Sequence, residues 1–168
     1  PTMNNYFSDF DMAGLITWHG GQNAPDRILS VHTTGDVETG NFGPANPRYM
    51  HNLLVHLEKS RAEAGLDEFT VTTEATHWSG VIYGEGAPDL IPRFPVPIVD
   101  IEIGSTCDSW SNQKAVRVLA GSLTGVFAGG DKKLYNLLCA GGVHFEQSFA
   151  KAVFEEWEGS YFGISHIL

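Results

Sequence analysis

The sequence predicts an α/β layered fold with a largely parallel or mixed sheet. Segments with the residue content of strands alternate repeatedly with segments whose apolar residues recur at helical spacing. The chain has 168 residues, of which 42% are hydrophobic and 11% aromatic, and this is enough for one packed core. Two full domains would leave each with too little buried surface. We therefore expect a single domain over residues 1–168.

The first half of the chain carries signals for two strands and one helix. A short apolar segment covers residues 12–18, and a turn rich in Gly, Asn and Pro follows it. Residues 27–33 are predicted to form a strand. Pro47 suits the first position of a helix and Gly65 is a natural stop, so apolar residues at helical spacing between them predict a helix. Residues 68–76, rich in Thr and Val, predict a second strand.

The second half begins with a loop over residues 78–92 that contains Gly and Pro and is long enough to suggest a site or lid. A strand over residues 97–103 follows, with its apolar run interrupted by Asp100 and Glu102. The remaining predicted elements are a helix over about 109–128, a buried strand over 134–140, a helix over 146–157 and a short strand over 161–167.

The charge balance is unusual for a protein that binds nucleic acid. Ten Lys and Arg stand against twenty Asp and Glu, which gives a formal net charge of −10. Proteins that bind tRNA through its phosphates usually present a basic face. The balance therefore favours a small substrate, and DNA is not an expected partner. No apolar run is long enough for a membrane span and no signal-peptide pattern opens the sequence, so we expect a cytoplasmic protein.

Polar residues collect where the predicted strands end. In open α/β sheets ligands bind outside the carboxyl ends of the strands, so these groups are expected to converge on one pocket. Each cluster also has a purely structural interpretation, in which a hydroxyl caps a helix and a Gly pair makes a sharp turn. His51 and His56, on different faces of the first long helix, are expected at the surface. The clusters are His32-Thr33-Thr34-Gly35-Asp36, Glu74-Ala75-Thr76-His77, Glu102-Ile103-Gly104-Ser105-Thr106 and Gly141-Gly142-Val143-His144.

Taken in order, these motifs resemble those of the archaeal and plant-type D-aminoacyl-tRNA deacylase family. The resemblance extends over most of the chain at plausible spacings. The matching segments are His19 after the first apolar segment, Val31–Asp36, Ala45–Pro47, Glu74–His77, Glu102–Thr106 with Trp110, Gly141–Phe145 and Gly163–Ile167.

The resemblance implies a three-layer α/β/α sandwich with a mixed, mostly parallel sheet, of the phosphorylase/peptidyl-tRNA-hydrolase-like kind. It also implies hydrolysis of the ester that joins a D-amino acid to tRNA, with dependence on zinc. The chain departs from the family pattern after His77, where Trp78, Ser79 and Gly80 replace a second His, a Gly and a Pro.

The motifs that carry the resemblance supply the candidate site residues. The expected catalytic residues are His77, His144, Glu74 and Glu102, because a neutral imidazole can accept a proton from water while a carboxylate orients it. The expected substrate-binding residues are His19, His32, Thr33, Trp78, Ser105, Thr106, Gly141, Gly142 and His166. Backbone amides at Gly104–Ser105 and Gly141–Gly142 are candidate donors to an oxyanion. The candidate Zn²⁺ ligands are His77, His144 and Glu102.

Three functions remain open on the sequence alone. The first is a D-aminoacyl-tRNA deacylase, with aminoacyl-tRNA or an amino-acid-like small molecule as partner. The second is a diverged enzyme acting on a small metabolite, favoured by the acidic charge and by the altered loop after His77. The third is a non-catalytic binding protein on the same scaffold. Trp78 follows His77 in the loop, and if it occupies the volume that the family leaves open for substrate, it changes the shape of the pocket as well as the ligand set.

Overall fold

The computed structural model describes residues 2–21, 23–78 and 86–168. Helices and strands alternate along most of this length. The helices are α1 (Thr2–Phe7), α2 (Pro47–Glu63), α3 (Cys107–Trp110), α4 (Gln113–Ser122) and α5 (Gln147–Phe154). The strands are β1 (Ala13–Trp18), β2 (Ile28–Thr33), β3 (Gly35–Asp36), β4 (Asn41–Phe42), β5 (Thr70–Thr73), β6 (Ile98–Gly104), β7 (Leu134–Cys139) and β8 (Tyr161–Ile167). Two 3-10 helices are Pro88–Arg93 and Leu123–Gly125.

The central sheet has the strand order β1-β6-β2-β5. Strands β1 and β6 are parallel, as are β2 and β5, whereas β2 and β6 are antiparallel. Strands β7 and β8 form a separate parallel pair, and β3 and β4 form a short antiparallel one. The α/β fold with a mixed, mostly parallel sheet that the sequence predicts is confirmed.

One face of the central sheet is apolar and belongs to the hydrophobic core. Alternate residues of a strand point to opposite faces of a sheet, so residues paired across two strands share a face. Leu29 pairs with Ile103 and Val31 with Ile101, and all four are buried in the core cluster. The buried Leu53 of α2 belongs to the same cluster. Helix α2 therefore covers the core together with these strands.

The opposite face of the same strands is polar. Ser30 pairs with Glu102 and His32 with Asp100, and all four side chains are buried. The register of β5 against β2 continues this row, because Thr72 pairs with Ser30. Titratable groups thus lie side by side on one face, and not only at strand ends as predicted. The reason is that β6 runs antiparallel to β2, so the two strands do not end at the same edge.

The predicted helix between Pro47 and Gly65 is confirmed. The side chain of Asn46 accepts hydrogen bonds from the backbone N–H groups of Arg48 and Tyr49, which satisfies donors that have no partner inside the helix. Gly65 follows the helix with φ of 59°, a backbone conformation that glycine adopts at little cost. Local capping signals therefore define both ends.

The predicted single helix over residues 109–128 is wrong, because two helices occupy this stretch. Helix α3 ends at Trp110, and the side chain of Asn112 starts α4 by accepting from the N–H groups of Lys114 and Ala115. The short polar side chain of Asn112 bonds to backbone N–H groups that would otherwise continue the first helix, so one helix ends before it and a second begins after it.

Two predictions of burial are also wrong. The strand predicted as buried over residues 134–140 is largely exposed, with Tyr135 at 44% and Leu138 at 64% exposure. In the described structure β7 pairs with β8 only, so much of its surface has no covering element. His51 is buried, and its Nδ1 donates to the Phe162 carbonyl at 2.9 Å, because α2 packs against β8.

Of the predicted loop over residues 78–92, residues 79–85 lie outside the described part, including Ser79 and Gly80. Its final residues form the 3-10 helix Pro88–Arg93. Across the described ranges, no helix combines the length and apolar character that crossing a bilayer requires.

Candidate active site

Glu74, the residue after β5, is the centre of a cluster of imidazoles. Its side chain is buried, and its Oε1 accepts a hydrogen bond of 2.8 Å from Nε2 of His144. The same oxygen lies 3.4 Å from Nε2 of His19 and 3.7 Å from Nε2 of His77. Three segments far apart in sequence therefore bring an imidazole to one carboxylate oxygen.

Backbone hydrogen bonds hold these segments together. The Ala75 N–H donates to the His144 carbonyl at 2.8 Å, which ties the turn after β7 to the residue following Glu74. The His19 N–H donates to the Ile103 carbonyl at 2.9 Å, which places the end of β1 beside β6. The cluster is thus a consequence of strand pairing and its continuation into the adjoining turns.

The ring of His77 has a defined tautomer. Its Nδ1 lies 2.8 Å from the Ala75 carbonyl oxygen, and a carbonyl can only accept, so Nδ1 carries the proton. In the neutral ring Nε2 then has a free lone pair, and this is the atom that faces Glu74. His77 therefore presents a proton acceptor to the cluster.

A second layer of titratable groups lies behind His77. The His32 ring stacks on the His77 ring, with 3.9 Å between centroids and 23° between planes. Nε2 of His32 lies 3.5 Å from Oδ2 of Asp100 and 3.7 Å from Oε1 of Glu102. His32 thus connects the Glu74 cluster to the carboxylates of β6.

The environment sets the charge state of these groups. Burial alone would raise the pKa of Glu74, but the His144 hydrogen bond and the nearby rings of His32 and His77 lower it overall. The pKa of His77 is lowered by burial and then by the neighbouring His32. Near neutral pH the site therefore combines an ionised Glu74 with a neutral His77.

The pKa of His32 is raised by the carboxylates of β6, whereas the pKa of His77 is lowered. Burial lowers the pKa of His32, but the carboxylates of Glu102, Asp100 and Glu74 outweigh burial and raise the value overall. Burial, together with the negative charges of Glu102 and Glu74, raises the pKa of Asp100 to about 6 against the opposing effect of His32. Asp100 was not among the predicted site residues. Asp100 lies two positions before Glu102 in a predicted strand, so the two carboxylates share one face, and this spacing is the signal that would have identified it.

Two groups of three side chains in the described structure bring their ligand atoms within 4.8 Å of one another. One is His19, Glu74 and His144, and the other is His32, Glu74 and His77. Both groups could hold a metal ion. The donor set of two imidazoles and one carboxylate suits a catalytic zinc site, and Oε2 of Glu74 is buried with no hydrogen-bond partner among the described residues. The predicted ligand Glu102 belongs to neither group.

A family model described as D-aminoacyl-tRNA deacylase matches this chain over residues 6–168. The chain belongs to the D-aminoacyl-tRNA deacylase family. A D-aminoacyl-tRNA deacylase of Methanoculleus marisnigri is 31% identical, with 82% of this chain and 29% of the relative aligned. One of Staphylothermus marinus is 30% identical, with 79% of this chain and 53% of the relative aligned. The chain therefore spans about half or less of the length of these relatives.

A solved structure supports the fold of this deacylase-family chain. It is a crystal structure described as a conserved protein of unknown function, with a TM-score of 0.72 and 21% sequence identity. The match covers 99% of this chain and 55% of the other.

Some predicted site residues of the deacylase-family chain have structural partners instead of a place beside Glu74. Thr33 shares a 3.0 Å hydrogen bond with Thr76 between their hydroxyl oxygens. Thr106 caps α3 by accepting from the Ser109 N–H, and its hydroxyl donates to Asp26 at 2.9 Å. Both hydroxyls therefore have the purely structural role that was the alternative to a role in substrate binding.

Two predicted oxyanion donors are already engaged. The Gly141 N–H donates to the Leu168 carbonyl at 2.9 Å, and the Ser105 N–H donates to Oδ1 of Asp26 at 3.3 Å. The Ser105 hydroxyl is still near the cluster, because its Oγ lies 3.4 Å from Nδ1 of His19.

The remaining predicted residues lie around the edge of the site. Gly142 has φ of 86°, and a Cβ there would lie 2.9 Å from Cγ of Glu146, so the turn requires glycine. His166 donates from Nε2 to the Gly43 carbonyl at 3.1 Å. Trp78 lines a cavity of about 480 Å³ next to His77.

Proposed function

We propose that this chain hydrolyses the ester bond between a D-amino acid and tRNA, with the imidazole cluster around Glu74 as the reacting centre. The observation that carries the proposal is the contact of three imidazoles with one oxygen of a buried carboxylate. Membership of the deacylase family supplies the substrate class. Such an activity belongs in the cytoplasm, where aminoacyl-tRNA is made.

The proposed reaction uses His77 as the general base. Nε2 of His77 takes a proton from a water molecule, and the hydroxide oxygen forms a bond to the ester carbonyl carbon. The tetrahedral intermediate then breaks its bond to the ribose oxygen, which receives a proton from the imidazolium. The products are the free D-amino acid and tRNA, and His77 returns to its neutral state. Glu74 stabilises the transient positive charge on His77, and it orients the His144 ring by accepting the hydrogen bond from its Nε2.

We extend the proposal to a zinc ion held by Glu74 with His19 and His144, one of the two groups that could hold a metal, because this leaves Nε2 of His77 free to act as the base. A bound zinc ion would lower the pKa of a coordinated water and polarise the ester carbonyl. Metal analysis of protein purified without chelator or nickel resin tests this. The expected result is close to one zinc per chain in the wild type and a clear loss in the Glu74→Gln variant. Equal metal content in both would contradict Glu74 as a ligand.

The test of the activity compares alanine variants of the cluster on D-aminoacyl-tRNA. His77→Ala and His144→Ala should each lower kcat/KM by about 10²-fold or more, the usual scale for general acid–base catalysis. His56→Ala removes an imidazole of α2 outside the cluster and should remain within about twofold of wild type. Normal turnover in both cluster variants, with the fold intact, would refute the assignment.

A small amino-acid ester is the second candidate substrate, because the net charge of −10 opposes contact with phosphates. Activity on D-aminoacyl-tRNA that falls steeply as salt concentration rises would support tRNA binding. Equal efficiency on a D-amino acid methyl ester, with no dependence on salt, would favour the small ester. Absence of turnover on both would favour a binding protein.

A further inference from the structure

A largely apolar cavity lies beside the imidazole cluster. Its volume is about 480 Å³, within the range of pockets that bind small molecules. Its walls include Thr34, Pro44, Trp78, Leu90, Ile91 and Phe94. The proposed hydrolysis at the Glu74 cluster does not use this cavity.

The cavity and the cluster share a wall. Trp78 directly follows His77 in the chain, and Thr34 forms a parallel bridge with His77. The Gly35 N–H strengthens this contact by donating to the His77 carbonyl at 3.2 Å. On β6, the cavity residue Ile98 is two positions from Asp100, which places it on the same face at a spacing of roughly 7 Å. A substrate centred on the cluster can therefore extend a side group into the cavity.

The chemistry of the walls favours a flat, uncharged ring. Trp78 supplies an aromatic surface, and Gly86 packs against it so closely that a Cβ there would lie 3.1 Å from Cζ3 of the indole. Leu90 and Ile91 supply aliphatic surface. The one guanidinium at the wall, that of Arg93, is paired with Asp89 at 2.6 Å.

One polar atom in the cavity wall has no hydrogen-bond partner among the described residues. It is Nε1 of Trp78, a donor, and it is buried. Buried polar atoms are usually satisfied, so a ligand that brings a hydroxyl or a ring nitrogen as acceptor would complete it.

We propose that this cavity binds an aromatic ring of the substrate and makes Trp78 a specificity-determining residue. The inference rests on the proposed function, because it places the ring beside the ester at the Glu74 cluster. Two parts of an aminoacyl-tRNA carry such a ring. One is an aromatic amino-acid side chain and the other is the adenine of the tRNA 3′ end.

The first test measures binding without turnover, so it does not depend on the proposed hydrolysis. Titrations of p-cresol and of adenosine, followed by NMR, are compared in wild type, Trp78→Ala and Trp157→Ala. Trp157 is a matched control, since it is 53% exposed and packs near Phe162 on β8. We expect one probe to bind wild type and the Trp157 variant equally, and to bind Trp78→Ala about tenfold or more weakly. Failure of both probes to bind, or equal binding by the Trp78 variant, would overturn the proposal.

A second variant keeps the test decisive if Trp78→Ala does not fold. Leu90 is 49% exposed and lines the cavity, so Leu90→Trp should fill the space without disturbing the core. This variant should lose binding of the same probe, and retained binding would count against the cavity.

Kinetics then distinguish the source of the ring. If the amino-acid side chain enters, Trp78→Ala lowers kcat/KM for D-Tyr-tRNA by about 10- to 100-fold and leaves D-Ala-tRNA unchanged. If the adenine enters the cavity, Trp78→Ala lowers kcat/KM for both substrates by the same factor. An absence of hydrolysis by the wild-type protein would defeat the proposed function alone, because the binding titrations would still report on the cavity.

Discussion

The Glu74→Gln substitution tests the centre of the candidate site. Glutamine keeps the shape of the side chain but removes the negative charge that faces three imidazoles. The amide would also present an NH₂ group to Nε2 of His144 in place of a carboxylate oxygen. Both changes act on the reacting groups, and the change in volume is negligible.

The size of the effect follows from the closest contact. The hydrogen bond from His144 to Glu74 is 2.8 Å long and buried at the carboxylate. Hydrogen bonds to charged groups contribute about 1.5–3 kcal/mol. Because about 1.4 kcal/mol in activation free energy is a factor of ten in rate, losing this contact in the transition state lowers kcat/KM by about 10- to 150-fold. The further loss of charge beside His77 adds to this, so the range is a lower bound.

The assay measures release of the amino acid from D-aminoacyl-tRNA at neutral pH, below saturation, with circular dichroism as a check of folding. Glu58→Gln on α2, whose carboxylate pairs with Arg61, is the control for a carboxylate outside the site. Glu102→Gln should have a smaller effect than Glu74→Gln, because Glu102 contacts His32 and not the other imidazoles. The reasoning fails if a folded Glu74→Gln protein stays within twofold of wild type, or if Glu102→Gln is the more damaging change.

Two further predictions concern stability. Asp26 accepts a 2.5 Å hydrogen bond from the Ser109 hydroxyl, and this bond is the main reason that its pKa falls from 3.8 to about 2. A native pKa below the unfolded value stabilises the fold above pH 3.8, and the stabilisation disappears as the pH falls towards 2. Asp26→Asn should therefore lower the melting temperature at pH 6 and have little effect near pH 2. A Cβ at Gly163 would lie 2.3 Å from the Pro47 carbonyl oxygen, so Gly163→Ala should lower the free energy of unfolding in urea by about 1–3 kcal/mol.

Matched variants separate these causes from general effects of substitution. Asp131→Asn changes an exposed carboxylate and should leave the melting temperature unchanged at both pH values. At Gly121, inside α4, a Cβ meets nothing within 4 Å, so Gly121→Ala should stabilise the protein by up to about 1 kcal/mol. A pH-independent effect of Asp26→Asn, or equal effects at the two glycines, would contradict the structural explanation.

Elements with strong local signals were predicted closely. The last strand, predicted over residues 161–167, has those bounds in β8, and the helix after Pro47 begins where its cap and its proline place it. The predicted single helix over residues 109–128 is instead two helices, α3 and α4. An apolar stripe at helical spacing indicates helix along its whole length, yet the cap formed by Asn112 divides it.

For the site, the sequence by itself determined which residue types were present and that their motifs followed the order of one family. It placed His19, His77, His144 and Glu74 in separate motifs, and the structure brings these four together. Hydrophobic periodicity, caps and turn residues act over a few positions, so they can be recognised without knowing the fold.

The tertiary structure alone decided which carboxylate lies at the centre. The antiparallel pairing of β6 with β2 sets Asp100 opposite His32 and leaves Glu102 beside the same ring, while the parallel pairing of β5 with β2 brings Glu74 to the imidazoles. The tertiary structure also leaves β7 largely exposed, although the sequence predicts a buried strand there. Strand order and register depend on how apolar surface is buried across the whole chain, and a shift of one residue would turn each of these side chains to the other face.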